Sequence, residues 1–320
     1  MTTYIEPNLD VFSSFIQDNH LEYKDYQYNG VKWCLTNELR PDPPQNIRGG
    51  FIADEMGLGK TITMIGTMVS NPLPSTLIVV PPILIQQWRD HISRTMNDQP
   101  LVFHGSIKKK ITINILSSYS MVITTYGAIA MNNDLKETLL HQHKWDRIIF
   151  DESHHMRNRK TRLHISAQLL KADIRWLVSG TPVQNSIKDF YSLCSLIKLP
   201  CSFYTDKLNL NEIAKSFILK RTKKQVGIDV SDLHLQELSV PWTNNNEKTL
   251  SKEIHACLGF IDCDQFNRLS ENFMGSNKIV HMIRAKQSCI MSQLISPKTL
   301  KHKNKQSIHH SSKVDFIVEN

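Results

Sequence analysis

Three short stretches hold side chains whose types and spacing could do chemistry together: Asp54 to Thr61, Asp151 to His154, and Ser179 to Pro182. The first reads Asp54-Glu55-Met56-Gly57-Leu58-Gly59-Lys60-Thr61. Glycines at 57 and 59 let a backbone fold its N–H groups around phosphate oxygens. Lys60, opening the next helix, would reach β- and γ-phosphates, with the helix N-terminus adding a favourable dipole. Thr61 would place its hydroxyl on Mg²⁺. The general phosphate-loop pattern, G-x-x-x-x-G-K-[ST], has glycine where this chain has Asp54. Taken alone, the stretch therefore also reads as a glycine-rich turn into an ordinary amphipathic helix.

The second stretch is Asp151-Glu152-Ser153-His154. Hydrolysis of a nucleoside triphosphate needs one carboxylate to hold Mg²⁺ against the phosphates and another to position or deprotonate the attacking water. Asp151 suits the first role and Glu152 the second. The competing reading is a surface acidic pair capping the helix that follows. In the third stretch, Ser179-Gly180-Thr181-Pro182, small residues let a neighbouring loop approach, and hydroxyls can hydrogen-bond His154. That would tie the second stretch to another surface. In isolation it is an ordinary strand-ending turn.

The elements that must position these residues are legible in the apolar pattern. Gly50 to Ala53 reads as a buried strand, and Ile62, Met64, Ile65, Met68 and Val69 after Thr61 have helical spacing. Thr76–Val80, Leu101–His104, Met121–Tyr126, Trp145–Phe150 and Trp176–Gly180 read as further strands. Helices are expected over 83–92, 162–171 and 187–199. Continuous apolar strands alternating with helices imply a doubly wound α/β domain on a parallel sheet, expected over residues 21–205. Ligands of such sheets bind at the carboxyl ends of strands, where all three stretches fall. Residues 1–20 read as a lead-in with a short helix at Phe12, Phe15 and Ile16. A second helix follows over 26–35 despite Gly30. Residues 206–297 read as mostly helical around one strand-like stretch, Gln236–Trp242. Residues 298–320 open on a basic run, read as a solvated linker in preference to a phosphate-contacting segment.

A chain of 320 residues with a formal charge of +8 suits about two domains and an anionic partner, although this charge is also that of a plain basic surface. The six cysteines are scattered without a C-x-x-C pair, which excludes a disulfide framework or a zinc site as the sequence's organising feature. The N-terminus lacks a signal-peptide pattern, and no apolar run approaches the ~20 residues that span a bilayer. A soluble, intracellular protein with no membrane partner is expected.

In this order, Asp54–Thr61, Asp151–His154 and Leu177–Asn185 resemble motifs I, II and III of the Swi/Snf-like ATPases, helicase-related superfamily 2 motors that act on DNA. Asp at the first glycine position is the usual form there. Tyr26-Gln27 with Gly30, Val31 and Trp33 resembles the family's N-terminal block, Leu77–Trp88 motif Ia, and Ile123–Tyr126 motif Ib. Leu219–Lys223 resembles the segment after the first lobe; Ile283–Ile295 and Ser311–Val314 resemble the lead-in to the second. The resemblance implies a RecA-like lobe that binds ATP and Mg²⁺, with Lys60, Asp151 and Glu152 catalytic. Thr61 and Asp151 would hold the metal, residues 54–61 the phosphates, and Gln27 the adenine. His154, Ser179, Gly180 and Thr181 would couple the site to another surface. Motifs Ia and Ib would line the path of double-stranded DNA held by its phosphates.

In the family a second RecA-like lobe carries motifs IV to VI, whose arginines complete the ATP site. No further α/β alternation follows Val314, so the chain is expected to be the front half of a motor, hydrolysing ATP very slowly unless a second lobe docks in trans. Arginine fingers are worth roughly 10³–10⁵ in rate in related chemistry. The alternative is a non-hydrolysing module that binds DNA or a protein, against which Glu152 argues. A GTPase is disfavoured because there is no Asn-Lys-x-Asp motif. The family expectation for location is the nucleus, with a viral or cytoplasmic DNA compartment as the alternative.

Overall fold

Seven runs of apolar and β-branched residues pair side by side, all in parallel, in the order β3-β4-β2-β5-β6-β1-β7. They are β1 (Arg48–Ile52), β2 (Thr76–Val80), β3 (Leu101–Phe103), β4 (Met121–Thr125), β5 (Lys144–Asp151), β6 (Lys171–Val178) and β7 (Ile218–Leu219). The structure is a computed structural model that describes residues 5–131, 136–181, 187–229, 238–256 and a few positions between 283 and 315. It divides into two compact units, Met1–Ser231 and Asp232–Asn320.

In the first unit the central strands feed two cores, because successive side chains leave opposite faces of a sheet. Phe51, Leu77, Val79, Ile148, Phe150 and Leu177 enter one cluster, with Ala167, Leu193, Leu196, Ile213 and Phe217 from helices on that face. Ile52, Ile78, Val80, Ile149, Trp176 and Val178 enter the other. Four helices cover this second face: α1 (Glu6–Asp18), α2 (Asp25–Leu39), α3 (Lys60–Ser70) and α4 (Ile85–Thr95). A sheet buried on both faces explains apolar runs such as Leu77-Ile78-Val79-Val80 on β2 and Ile148-Ile149-Phe150 on β5.

The edges of this unit differ from the sequence reading. The helix expected at Phe12, Phe15 and Ile16 is present as α1, but it is part of the domain and not a lead-in: Leu9, Phe12, Phe15 and Ile16 are buried in the second core. The sheet also runs past residue 205. The helix Leu210–Phe217 turns directly into β7, which pairs with the end of β1. Two residues of strand carry no readable alternation, so this edge was invisible. The expected strand Gln236–Trp242 is not one over its described part. Leu238–Trp242 has no strand partner among the described residues, Leu238 is 59% exposed, and Pro241 has no N–H to offer a ladder.

Polar anchors lie inside the first unit. Glu38, at the end of α2, accepts from Arg147 Nε (2.7 Å) and Nη2 (2.5 Å), Trp176 Nε1 (2.7 Å) and Asn71 Nδ2 (2.8 Å). Arg175 on β6 has no carboxylate partner among the described residues. It donates instead to Ala167 O (3.1 Å), Leu196 O (3.2 Å) and Leu170 O, carbonyls at the ends of the helices Arg162–Leu169 and Ile187–Leu196. A cation suits helix C-termini; burial pushes its guanidinium down to about 10, which still leaves it charged at neutral pH.

The second unit is described over the helix Asn245–Ala256 and a few later residues. Buried Glu247 accepts from the backbone N–H (3.2 Å) and hydroxyl (2.7 Å) of Ser312. The basic run 298–310 lies outside the described residues. The described cysteines, 34, 194, 201 and 289, are unpaired. Among the described residues, no helix is long and apolar enough to cross a membrane.

Candidate functional site

The three stretches meet because their strands are neighbours. Asp151 pairs in register with Val178, and Val178 with Ile52, so one row across β5, β6 and β1 ends at all three. Asp151 closes β5, Ser179 follows β6, and the glycine loop 53–59 follows β1 into α3.

The loop is shaped by backbone and by distant partners. Gly59 caps α3 in the left-handed region (φ 75°), and Gly57 has φ +90°. Side chains there would be strained. Lys60 Nζ donates to the carbonyls of Asp54 (3.0 Å) and Glu55 (3.4 Å). Thr61 lies in the first turn of α3. Leu58 is buried while Met56 stands 67% exposed at the loop's tip. Gly180 comes close to this loop: a Cβ there would lie 3.0 Å from Met56 Cγ and 3.4 Å from Lys60 Nζ. Gln27 on α2 touches the same loop, its Nε2 lying 3.5 Å from Leu58 O.

Asp54, the residue out of step with the general pattern, has a structural reason. Its carboxylate is fully buried and takes the backbone N–H (2.9 Å), Nε (3.1 Å) and Nη2 of Arg221, a bidentate ion pair. Arg221 also donates through Nη1 to Tyr26 O in the first turn of α2. Gly30, which weakens α2 as a helix, makes room for this: a Cβ at that position would lie 2.9 Å from Arg221 Nη2. Glu55 accepts from Lys223 N (2.8 Å).

Asp151 is held from two sides. Trp88 Nε1 of α4 donates to its Oδ2 (2.8 Å), and the N–H of Glu152 to its Oδ1 (2.9 Å). The hydroxyl of Tyr126, directly after β4, donates to its backbone oxygen (2.5 Å). Burial pushes the Asp151 carboxyl up from the usual carboxylate range. The Trp88 bond, the Glu152 N–H bond and the Lys60 charge pull the other way, while the Glu152 charge adds to the rise. Burial and the Asp151 and Glu152 charges likewise push the Tyr126 hydroxyl up.

Glu152 has φ 52°, ψ 46°, uncommon for a residue with a side chain. Its carboxylate lies 3.1 Å from His154 Nδ1, which lies 3.2 Å from Ser179 Oγ. Ser179 Oγ accepts from Thr181 N (3.3 Å). A polar chain thus runs from Glu152 through His154 and Ser179 to Thr181. Pro182–Asn185 lie outside the described residues.

Arg221, Trp88 and Tyr126 had no place among the sequence candidates for this site. Trp88 and Tyr126 stand at the ends of stretches read as a DNA path, and nothing in a linear pattern points them at Asp151. Arg221 sits 167 positions from Asp54.

A parallel sheet covered by helices on both faces, with a glycine loop running from one strand into a helix beside two strand-end acids, is a RecA-like α/β fold. The chain matches the SNF2-related domain over residues 26–309, and it belongs to that family. An uncharacterised ATP-dependent helicase of Schizosaccharomyces pombe is 32% identical over 201 residues, 55% of this chain and 19% of that protein. The ATP-dependent DNA helicase DDM1 of Arabidopsis thaliana is 33% identical over 188 residues, 55% of this chain and 23% of that protein. The chain therefore spans a fifth to a quarter of these relatives. The Sulfolobus solfataricus SWI2/SNF2 ATPase core, solved in complex with double-stranded DNA, shares the fold at a TM-score of 0.53. Its identity is 22% over 93% of this chain and 63% of that one.

Proposed function

We propose that the chain is the ATP-binding lobe of a Swi/Snf-like DNA-dependent ATPase, using ATP hydrolysis to move on or remodel DNA complexes. The observation that carries this is the common row: Lys60's loop, Asp151-Glu152 and Ser179 end three adjacent strands, β1, β5 and β6. In the family, that is where ATP binds.

In this reading Lys60 leaves the loop carbonyls for the β- and γ-phosphates, and residues 54–61 wrap the phosphate chain. Gln27, beside the loop at Leu58, takes the adenine edge. A hydroxyl at Thr61 and a carboxylate at Asp151 are oxygen donors suited to Mg²⁺. Among the described residues no group of three or more His, Cys, Asp or Glu side chains is placed to hold a metal ion by itself. Bound there, Mg²⁺ would neutralise phosphate charge. Glu152 orients and deprotonates the water. The chain through His154, Ser179, Gly180 and Thr181 would pass the state of the site to the rest of the motor. Double-stranded DNA would be held through its phosphates. A second RecA-like lobe, in cis or in trans, would supply the remaining cationic groups, and the nucleus is the first place to look for the protein.

The test is ATP binding and turnover by the chain, with and without duplex DNA, beside Lys60→Ala. That variant is expected to lose about ten- to a hundredfold in ATP affinity, as for removal of a charged hydrogen-bond donor. Unchanged affinity would sink the reading.

Trp88→Phe makes a finer test. It keeps an aromatic ring in the core and removes the N–H that favours the Asp151 carboxylate. The Asp151 carboxyl of the metal-free chain is then pushed further up, so its midpoint in a carboxyl-resolved NMR titration without Mg²⁺ is expected to move to higher pH. A midpoint that stays in place would deny Trp88 its part in setting Asp151.

A further inference from the structure

We infer that Lys223 is a second phosphate-binding cation of the glycine loop, supplied from the far end of the first unit. The inference rests on the reading of that loop as the seat of a nucleoside triphosphate.

The geometry begins with a continuous seam. Past the end of β1, Ala53 N donates to Leu219 O (2.7 Å) and Glu55 N to Arg221 O (2.9 Å). Arg221 N donates back to Asp54 Oδ1 (2.9 Å), and Lys223 N to Glu55 Oε2 (2.8 Å). Residues 219–223 are thus tied to residues 53–55 bond by bond. The seam ends where Lys223 caps the short helical turn Lys224–Val226.

From that anchor the Lys223 side chain reaches over Gly57. A Cβ built on Gly57 would lie 3.4 Å from Lys223 Cε and 3.7 Å from its Nζ, so the missing side chain at 57 is what lets the lysine lie across the loop. Among the described residues, no carboxylate lies within ion-pair distance of this ammonium. Arg221, two positions earlier, is consumed by Asp54. Lys60 is held by loop carbonyls. Among the described residues Lys223 approaches the loop from outside with no ion-pair partner for its ammonium. An anion held by this loop would meet Lys60 from within the loop and Lys223 over Gly57. The ligand chemistry this suits is the phosphate chain of a nucleoside triphosphate; a nucleoside monophosphate would gain much less.

The experiment titrates ATP and AMP, each with Mg²⁺, into the whole chain and four variants: Lys223→Met, Lys223→Arg, Lys224→Met and Lys60→Ala. Lys223→Met keeps the apolar stem over Gly57 and removes only the charge, and Lys224 is an exposed neighbour one position on. Lys223→Met is expected to weaken ATP about tenfold or more, in line with loss of a charge-assisted hydrogen bond. It should weaken AMP far less and flatten the salt dependence of ATP affinity. Lys223→Arg should retain most of the affinity and Lys224→Met all of it. If Lys223→Met binds ATP as Lys224→Met does while Lys60→Ala has lost it, this inference falls and the nucleotide reading stands. If the parent chain shows no affinity for ATP, both fall together.

Discussion

Glu152→Gln is expected to bind ATP as tightly as the parent chain and to hydrolyse it about 10²–10⁴ times more slowly, the usual span for removing a general base. The substitution is close to isosteric, and the amide can still lie beside His154. What it loses is the ability to take a proton from water. The backbone makes this residue a pointed choice. Glu152 is held at φ 52°, a conformation that costs side-chain-bearing residues roughly 1–3 kcal/mol and persists where the surroundings impose it. The imposing contacts are visible: the Glu152 N–H is fixed to the Asp151 carboxylate, and its side chain to His154. The turn sends two successive carboxylates in different directions, one inward to Trp88 and one outward to His154. Equilibrium binding of a fluorescent ATP analogue, with single-turnover hydrolysis in the presence of duplex DNA, checks both halves. Turnover that survives in Glu152→Gln would remove this residue from the chemistry and favour a site that binds without hydrolysing through it.

How much of this was legible beforehand follows from where each signal resides. β2 was readable because a strand buried on both faces favours an unbroken apolar run, and the end of β5 because Ile148-Ile149-Phe150 is one. The row joining Asp151, Val178 and Ile52 follows from strand order, yet the motif spacing already placed all three stretches at strand ends. What could not be read is pairing at long range. Asp54 departs from the general glycine pattern; the family resemblance makes that departure usual, but its reason, the partner Arg221, lies 167 positions on and could not be read. Gly30 looked like a flaw in α2 for the same reason, since the guanidinium it admits belongs to that partner. Trp88 would be counted as core from sequence, and it is buried; only the fold reveals that its one polar atom faces Asp151. Sequence order carries local geometry well. It carries almost nothing about which polar group ends up opposite which.

The same logic gives the largest stability effect, at a residue far from the loop. Glu38→Ala is expected to destabilise the first unit by about 3–5 kcal/mol, the range for breaking a buried ion pair from one side. Arg147 is 1% exposed on its side chain and Glu38 0%. Truncation would leave the Arg147 guanidinium, the Trp176 indole N–H and the Asn71 amide facing a cavity. Glu38→Gln should be damaging too: both carboxylate oxygens receive donors, so one donor pair must face the new NH₂ group. Replacing Glu38 and Arg147 together by Leu and Met should recover part of the loss, because no charge is then stranded. Chemical denaturation followed by near-ultraviolet circular dichroism reads all three. A Glu38→Ala midpoint equal to the parent's would show that the cluster is incidental. The site is expected to register the loss as well. Helix α2 is anchored at its far end by Glu38 and at its first turn by the Arg221 bond to Tyr26 O, and Gln27 rides between them against the loop. Freed at one end, α2 would no longer hold Gln27 in place. Glu38 variants that remain folded should therefore lose preference for ATP over other nucleoside triphosphates before they lose affinity for the phosphates themselves.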